Sequence, residues 1–524
     1  SLLVALTEIV SQVNERTLSF SAPAVSVNTF NRTRNLNDVF ITMFGARGFA
    51  HWPGNLKAYR IEDGTIVDSL GNNAVDPATG FFYPTARSYW TDGQADGNDV
   101  ALGGAANELP DPASRKLYTN NGVSSNLTAP SNALKTTNSN NFAASDFGIG
   151  GATPTVDDMI NWMRGVDVKD VDNDPLTTTR DAMGDPLHSR PAAIVYGGTE
   201  EDPEAVIFTA TNDGYLHAVD AANGQELWSF VPNELLPRMA TLYEDPPMPY
   251  KIYGLDGDIV PVTRDVDRDG QIEAGDGDFA IILFGMRRGG YNYRAINVTD
   301  KDAPVLMWER ALENGGQSWS APVVARMDIS GSGQHTTKAV VVVGGGYDSA
   351  HDTPAFFEAR DGAGAGVHVL DLMSGNTLWY AGHTDTDADL KLDTMTRSIP
   401  TRIRVIDMNG DGFADRMYAS DLGGQLWRFD VSNGTARADL VAGGVIAQLG
   451  AEGMVNPGAA DTRRFYNSPD VSIFNDVRQN RRFIAISIGS GYRAHPLNTD
   501  TTDRFYSIRD PYVFRPLTQD DYAN

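Results

Sequence analysis

The sequence predicts an all-β fold in which a β-propeller follows a β-rich domain with a short N-terminal helix. Three observations predict this fold: a strand unit that recurs along the chain, apolar runs that end on glycine, and strand-length stretches in which apolar and polar residues alternate. Each blade of a propeller buries its faces only against its neighbours, so a repeated strand unit is the pattern that such a fold requires.

The first element expected is a helix over residues 1–14, because its apolar residues recur at helical spacing. They are Leu2, Leu6, Ile9, Val10 and Val13. We interpret this segment as the last helix of a preceding domain.

A β-rich domain with long loops is expected over residues 15–189. Apolar and polar residues alternate over strand lengths in SAPAVSVNTF, NDVFITMF and GNLKAYRI. Residues 91–152 are rich in Asn, Ser, Thr, Gly and Ala and lack periodicity, which predicts surface loops.

A short helix is expected near the end of this domain, from Thr155 to Arg164. Thr155 is a good N-cap, Asp158 follows it by three residues, and Gly165 ends the helix.

The propeller is expected over residues 190–524, where one unit recurs. Each copy combines an apolar strand, a glycine turn, an alternating strand, a second turn and a strand with tryptophan. The clearest copies are VIFTATNDGYLHAVDAANGQELWSFVP at 206–232, GAGVHVLDLMSGNTLWYAG at 364–382 and YASDLGGQLWRFDVSNG at 418–434. The repeat predicts about five blades, and it stops in mid-pattern, so further blades lie beyond this sequence or are too divergent to recognise.

Charge and composition exclude several classes of function. Lys and Arg number 42 and Asp and Glu number 68, which gives a net charge of −26. Nucleic acid and anionic membranes require a basic surface, so neither is an expected partner, whereas cations are favoured. No apolar run approaches the roughly 18 residues of a membrane helix, so no membrane insertion is expected. The absence of cysteine excludes disulfides, thiol nucleophiles and cysteine-ligated metals.

A calcium site is predicted in the acidic loop of RVIDMNGDGFADRMY, residues 404–418. The loop has the spacing D-x-N-x-D-G-x-x-D between two strand-like runs. Calcium takes six to eight oxygen ligands, and positions 1, 3 and 5 of such a loop offer side chains while position 7 offers its carbonyl. A solvated turn is the alternative, but its like charges repel unless an ion neutralises them. The predicted ligands are Asp407, Asn409, Asp411, the carbonyl of Phe413, and Asp415.

Two further acidic loops are candidates for calcium. In DVDRDGQIEAGD, a bound ion and a solvated turn remain alternatives; the candidate ligands are Asp265, Asp267, Asp269, Gln271, Glu273 and Asp276. The stretch KDVDNDP offers Asp170, Asp172 and Asp174, but Pro175 occupies the position at which the loop needs a flexible glycine.

These landmarks together resemble a known family. The repeat unit is similar to the blades of quinoprotein-like propellers. The ordered set of WPGNLKAYRI (52–61), GDPLHSRP (184–191), VVGGGYD (342–348) and DLGGQLWRFD (421–430) resembles the PilY family of type IV pilus tip adhesins and biogenesis factors.

The resemblance implies a non-enzymatic protein of the bacterial cell surface, exported through the periplasm, with a von Willebrand A-like domain before a calcium-binding propeller. It implies pilus subunits such as minor pilins, and a host or abiotic surface, as partners, and a role in pilus extension, retraction and attachment. Some members carry an Arg-Gly-Asp integrin motif. Here the nearest string is Arg164-Gly165-Val166-Asp167, so integrin binding is not expected.

Enzymatic alternatives have less support. A quinoprotein dehydrogenase shares the propeller, but its chemistry typically uses a disulfide of adjacent cysteines, which this chain lacks. A hydrolase is not indicated either. His188 and Ser189 are neighbours in an extended stretch, so they point to opposite faces and do not form a nucleophile and base pair.

A passive interaction scaffold is the third hypothesis for the function of this chain.

Two recurrent patterns are interpreted as packing features. No helix is expected after Gly344-Gly345-Gly346, so these glycines do not form a phosphate loop and are placed where strands crowd. Trp228, Trp308 and Trp379 recur with the repeat and are therefore expected to pack the blades rather than bind sugars.

Overall fold

The structure is a computed structural model. It describes residues 19–27, 35–170, 174, 178–180, 182–199, 202–330, 336–353, 360–452, 454–455, 457–476 and 481–523. The predicted helix over residues 1–14 lies outside these ranges.

The chain divides into two compact units. The first comprises Ser1–Ile282 with Ile296–Leu306, and the second comprises Leu283–Ala295 with Met307–Asn524. The domain boundaries expected from the sequence, at residues 14 and 189, stay predictions.

The all-β class is confirmed, since the described strands form six sheets connected mainly by turns and loops. The first sheet has the order β1-β2-β3-β4, and the second the order β5-β9-β8-β7-β6, in which β5 runs parallel to β9 and the other pairs are antiparallel. Their strands are β1 (Ser19–Val27), β2 (Asn35–Gly45), β3 (Gly54–Glu62), β4 (Thr65–Val67), β5 (Leu117–Tyr118), β6 (Ala192–Gly198), β7 (Pro203–Ala210), β8 (Leu216–Asp220) and β9 (Glu226–Phe230).

The remaining four sheets follow one another along the chain, and within each the strands are ordered as in the sequence. The third contains β10 (Ile259–Arg264), β11 (Phe279–Phe284), β12 (Asn292–Asn297) and β13 (Val305–Ala311). The fourth contains β14 (Val323–Asp328), β15 (Thr337–Gly344), β16 (Gly366–Asp371), β17 (Thr377–Gly382) and β18 (Leu390–Lys391). The fifth contains β19 (Arg404–Ile406), β20 (Arg416–Ser420), β21 (Gln425–Val431) and β22 (Val441–Gln448), and the sixth β23 (Asp470–Asp476), β24 (Arg481–Gly489) and β25 (Phe505–Asp510). Successive sheets of neighbouring strands are the topology expected of propeller blades.

Helices are few and short in the described residues. They are α1 (Gly104–Asn107), α2 (Val156–Arg164), α3 (Met239–Glu244) and α4 (Gln519–Ala523). None of the helices described is long and apolar enough to cross a membrane.

Helix α2 confirms the capping predicted from the sequence. The Thr155 hydroxyl accepts a hydrogen bond from the Asp158 N–H at 3.1 Å, and the Asp158 carboxylate accepts one from the Thr155 N–H at 3.0 Å. Gly165 follows the helix with φ +102°, a left-handed conformation that glycine adopts without a Cβ clash.

The repeat tryptophans are buried, as expected for blade packing, and two of them also tie successive strand units together. Trp228 and Trp379 are fully buried, and Trp308 is nearly so. The Trp228 indole N–H donates to the carbonyl of Lys301 at 2.7 Å, and that of Trp308 donates to the carbonyl of Leu372 at 2.8 Å. In both cases the bond runs from the strand that carries the tryptophan to a turn of the following sheet.

A turn glycine of the repeat is required by the same packing. Gly375 has φ +69°, and a Cβ there would lie 2.6 Å from the Trp308 ring. Only glycine allows both the turn and the close approach of the ring.

The three consecutive glycines confirm strand crowding. A Cβ on Gly344 would lie 2.3 Å from the carbonyl oxygen of Ile399, and one on Gly345 would lie 2.4 Å from that of Gly364. Shortly after these glycines the chain forms a 3-10 turn, Ser349–Asp352, rather than an α-helix whose N-terminus could hold phosphate.

Candidate functional site

The predicted calcium loop connects β19 and β20, which pair in antiparallel register. The Asp415 N–H donates to the carbonyl of Ile406 at 2.9 Å, so strand pairing closes the loop at its base. Asp407, Asn409 and Asp411 are exposed, whereas Asp415 is half-buried. The structure therefore confirms that the acidic loop lies between two strands. Within the described ranges Asp407, Asp411 and Asp415 form no three-carboxylate group, and their assignment as calcium ligands stays a prediction.

Asp407 organises the first half of this loop. Its Oδ1 accepts the Gly410 N–H at 2.6 Å and its Oδ2 accepts the Gly412 N–H at 2.8 Å. The backbone can turn around the carboxylate because both glycines adopt left-handed conformations, with φ of +81° and +86°.

The same hydrogen bonds set the charge of Asp407. Partial desolvation raises its pKa, but the N–H groups of Gly412 and Gly410, together with those of Asn409 and Asp411, outweigh this effect and hold the pKa below its ordinary value. Asp407 is therefore ionised in the form that a hard cation requires.

The middle of the loop repeats the pattern at alternate residues. Asn409 Oδ1 accepts the Asp411 N–H at 2.8 Å, and Asp411 Oδ1 accepts the Phe413 N–H at 2.8 Å. The Asn409 amide also donates to Asp411 Oδ2 at 3.0 Å. Side-chain oxygens at positions 1, 3 and 5 are thus each fixed by a backbone donor.

Asp415 fastens the end of the loop to its beginning. Its Oδ2 accepts the Met408 N–H at 2.8 Å. The Met408 side chain packs against a buried cluster that includes Tyr418 and Ile484. The acidic loop is therefore attached to the core of the second unit through its second residue.

The second candidate loop, between β10 and β11, begins with the same pattern. Asp265 Oδ2 accepts the Gly270 N–H at 2.9 Å, its Oδ1 accepts the Arg268 N–H, and Asp269 Oδ1 accepts the Gln271 N–H at 2.8 Å. The offsets of three, five and two residues are those seen in the loop 407–415. The two loops therefore share their first half.

Three carboxylates converge in this second loop. Within the described ranges, Asp265, Asp267 and Asp269 are the only three acidic side chains that each place one carboxylate oxygen within 4.8 Å of the other two. A hydrogen bond from the Asp269 N–H lowers the pKa of Asp267, but partial desolvation and the charges of Asp269 and Asp265 together raise it above its ordinary value. Asn409 occupies the equivalent position in the other loop and carries no such charge.

Sequence reasoning missed the acid that closes the second loop. Asp278 is almost fully buried; its Oδ1 accepts the Val266 N–H at 2.8 Å and its Oδ2 accepts the Glu273 N–H at 3.1 Å. The bond to Val266 matches that from Met408 to Asp415 in the first loop. The side chains of Glu273 and Asp276, proposed as ligands from spacing, are exposed and lie outside the three-carboxylate group.

A sequence signal for Asp278 existed. Asp415 directly precedes the strand β20, and Asp278 directly precedes β11. The closing acid is therefore the residue directly before the second strand. It is not found at a fixed number of residues after the first aspartate of the loop.

The third candidate loop is only partly described. Asp170 and Asp174 are exposed, and Asp170 has φ +47°. Asp172 lies outside the described residues, and among those described neither Asp170 nor Asp174 belongs to a three-carboxylate group.

His188 and Ser189 do not form a catalytic pair in the part of the chain that the structure describes. His188 Nδ1 lies 2.7 Å from the carboxylate of buried Asp256, whereas the Ser189 hydroxyl is buried and makes no hydrogen bond there. The expectation that this dipeptide is structural agrees with these contacts.

Comparison with known proteins points to one group of relatives. No family model matches the chain. It is 27% identical over 312 residues to the type IV pilus biogenesis factor PilY1 of Pseudomonas aeruginosa, a match that covers 54% of this chain and 23% of that protein. PilY1 of another P. aeruginosa strain is 25% identical over 482 residues, covering 84% of this chain and 35% of the relative. A PilY1 homolog of Xylella fastidiosa is 24% identical over 306 residues, a match that covers 52% of this chain and 22% of that protein.

The resemblance to the PilY family is confirmed by these relatives, and the matches span about a third or less of their length. Among solved structures, the P. aeruginosa PilY1 C-terminal domain has a TM-score of 0.39 at 22% identity, covering 59% of this chain and 58% of that chain. Quinohemoprotein alcohol dehydrogenase from Comamonas testosteroni has a TM-score of 0.29 at 13% identity, and the match covers 54% of this chain and 42% of that chain. Both TM-scores lie below 0.5, so neither likeness bears on function.

Proposed function

We propose that this chain acts in type IV pilus biogenesis at the bacterial cell surface, as a calcium-binding adhesin of the pilus tip that regulates pilus extension and retraction. The observation that supports calcium binding is the arrangement of the loop 407–415, in which backbone N–H groups hold the side chains at positions 1, 3 and 5. The names of its relatives support the pilus role.

Calcium would be held by the side chains of Asp407, Asn409, Asp411 and Asp415 and by the carbonyl of Phe413. These are five hard oxygen donors at the spacing of a calcium loop, and bidentate carboxylates or water would complete the six to eight ligands that Ca²⁺ takes. The bound ion would neutralise the three carboxylates of one short loop, whose mutual repulsion otherwise opposes a compact arrangement.

Calcium could change more than the loop itself because the loop is continuous with two core strands. Ile406, Met408 and Tyr418 all pack against the buried cluster formed with β24, and Met417 packs into the cluster shared with β14–β18. Binding or release of calcium would therefore change how firmly β19 and β20 are held in the sheet. This coupling is the basis for a regulatory rather than a purely stabilising role.

The partners that we propose are minor pilins and other pilus subunits on one side, and a host or abiotic surface on the other. We also propose that the chain is not an enzyme. A quinoprotein-type dehydrogenase is the runner-up, and absorbance of a bound quinone in the purified protein would establish it. A non-catalytic scaffold is distinguished by the absence of any calcium effect on pili.

The test combines calorimetry of the purified chain with assays of pili in cells. We expect Asp415→Ala to weaken calcium binding steeply and to leave few surface pili, whereas Asp415→Lys, which carries a tethered positive charge, keeps pili extended without calcium. Asp439→Ala removes an exposed acid elsewhere in the same unit and is the matched control. Both effects should disappear in cells unable to retract pili.

Two results would separate the parts of this proposal. Unchanged calcium affinity in Asp415→Ala would contradict the calcium site. Weakened affinity with normal piliation and twitching would retain the site and contradict the regulatory role.

A further inference from the structure

The second unit contains an open cavity of about 570 Å³ whose lining includes none of the candidate ligands of the acidic loops. Its size falls within the roughly 300–1,000 Å³ of small-molecule sites. Its lining is almost entirely polar and carries two positive and two negative side chains. The lining residues are Arg310, Glu313, Asn314, Asn376, Thr377, Tyr380, Asp387 and Arg437.

One wall is a fixed hydrogen-bond network around Glu313. The Arg310 guanidinium donates to Glu313 Oε1 at 2.8 Å, and the Thr377 hydroxyl donates to Glu313 Oε2 at 2.9 Å. These bonds hold a positive, a negative and a neutral polar group side by side. A wall that is ordered before binding reduces the entropy cost of holding a ligand.

A second charge pair at the cavity, between Arg437 and Asp389, is also fixed by hydrogen bonds. Arg437 donates through two nitrogens to the carboxylate of Asp389, at 2.7 and 2.9 Å. The same carboxylate accepts the Tyr380 N–H at 3.0 Å. Half of the Arg437 side chain remains exposed, so it can still donate to a ligand.

A buried histidine lies beneath Tyr380. The two rings stack 5.1 Å apart and nearly parallel, with an angle of 2°. His368 is almost fully buried, its Nδ1 has no hydrogen-bond partner in the described part of the chain, and this atom lies 3.9 Å from Glu313 Oε2. Burial lowers the pKa of His368 to about 4, so the imidazole is neutral near pH 7 and adds no charge.

These features exclude most ligand classes. Each lining arginine already has a carboxylate partner, which disfavours phosphate and other anions. Glu313 is matched by Arg310, and within the described ranges neither Glu313 nor Asp387 belongs to a three-carboxylate group, which disfavours a metal cation. Apart from Tyr380 the lining residues are polar, which disfavours an apolar ligand. What remains is an uncharged molecule with many hydroxyl groups, each of which can both donate and accept.

We infer that this cavity binds an uncharged saccharide, with Arg310, Asn376 and Arg437 as donors and Glu313 as acceptor. The inference does not depend on calcium binding by the acidic loops. It concerns side chains of the cavity and leaves the packing role of Trp228, Trp308 and Trp379 unchanged.

The 524-residue chain is tested against immobilised oligosaccharides, half of them neutral and half carrying carboxylates, together with a set of peptides. We expect selective binding of some neutral saccharides. Asn376→Ala and Arg437→Ala, both at exposed positions outside the core, should weaken that binding at least tenfold with an unchanged thermal midpoint. Asp470→Asn, which breaks the exposed pair with Arg404, is the control and should bind like the parent.

A further variant tests the charge balance directly. Glu313→Gln leaves Arg310 without its carboxylate partner, so it should lose neutral saccharides and gain carboxylate-bearing ones. No binding to any saccharide, preference of the parent for acidic saccharides or peptides, or parental binding by both exposed variants would each overturn the inference.

Discussion

The loops 407–415 and 265–278 start alike and close differently. In both, the first aspartate accepts the N–H groups three and five residues later, and the fifth position accepts the N–H two residues later. Closure comes eight residues after the start in the first loop, at Asp415, and thirteen residues after it in the second, at Asp278. Local hydrogen bonds therefore fix the beginning of such a loop, whereas the sheet fixes its end.

The two loops also differ in charge at their third position. Asn409 in the first loop is neutral, whereas Asp267 in the second adds a carboxylate to Asp265 and Asp269. The second loop brings three negative charges together, which strengthens attraction for a cation but raises the cost of the empty state. Experiments that compare the loops therefore reveal whether metal binding is decided by the hydrogen bonds that order the side chains before binding or by the number of negative charges.

The largest expected effect comes from Asp407→Ala. This change removes a predicted ligand together with the acceptor that turns the backbone at Gly410 and Gly412, so calcium affinity at this loop should fall by about 100-fold or more. Calorimetry of the parent, Asp407→Ala and Asp265→Ala measures each loop separately. If Asp265→Ala removed the tighter site and Asp407→Ala had no effect, charge rather than organisation would decide binding.

The next effect is a difference in pH dependence between the loops. Calcium needs ionised carboxylates; the pKa of Asp407 is lowered, whereas that of Asp267 is raised. As pH falls, Asp267 should be protonated first, so the loop 265–278 should release calcium at a higher pH. Calorimetry of Asp407→Ala and Asp265→Ala from about pH 7 to about pH 4, across the ordinary carboxylate range, measures the two midpoints. Release in the reverse order would contradict the prediction.

A smaller effect should separate Asp278 from Glu273. Asp278→Asn changes the buried acid that accepts the Val266 and Glu273 N–H groups, so any metal affinity of that loop should fall by about tenfold. Glu273→Gln changes an exposed side chain and should alter the affinity little. Titrations in the Asp407→Ala background isolate this loop, and a larger loss in Glu273→Gln would favour the closure proposed from sequence spacing.

The smallest effect is on folding stability without calcium. Asp415→Ala removes the acceptor of the Met408 N–H, which should lower the free energy of unfolding by about 1 kcal/mol. Urea unfolding in the presence of chelator measures it, with Asp439→Ala as control. A loss of several kcal/mol would mean that the loop stabilises the core of the second unit, whereas a small loss would mean that the core holds the loop in place.

Much of the fold could be predicted because its signals are local. The cap at Thr155, the stop at Gly165 and the buried repeat tryptophans each depend on neighbouring residues or on a periodic pattern, and the structure confirms them. The first half of each acidic loop was recognisable for the same reason, since its hydrogen bonds connect residues at most five apart.

Features that depend on strand pairing or on residues distant in sequence were harder to predict. Asp278 directly precedes β11, so a signal existed, but the insertion between Asp269 and Asp278 hides it from a fixed spacing. The cavity between Arg310 and Arg437 joins residues more than a hundred positions apart, so no motif records it.

The sequence alone determined the all-β class, the repeated strand unit, the helix cap and the family resemblance, because periodicity, turn chemistry and short-range hydrogen bonds are written in neighbouring residues. The tertiary structure alone decided which carboxylates converge and which charges line the cavity, and it revealed the position before β11 at which Asp278 closes the second loop. The physical reason is that convergence of side chains depends on strand pairing and sheet packing, and these place residues together without regard to their separation in the chain.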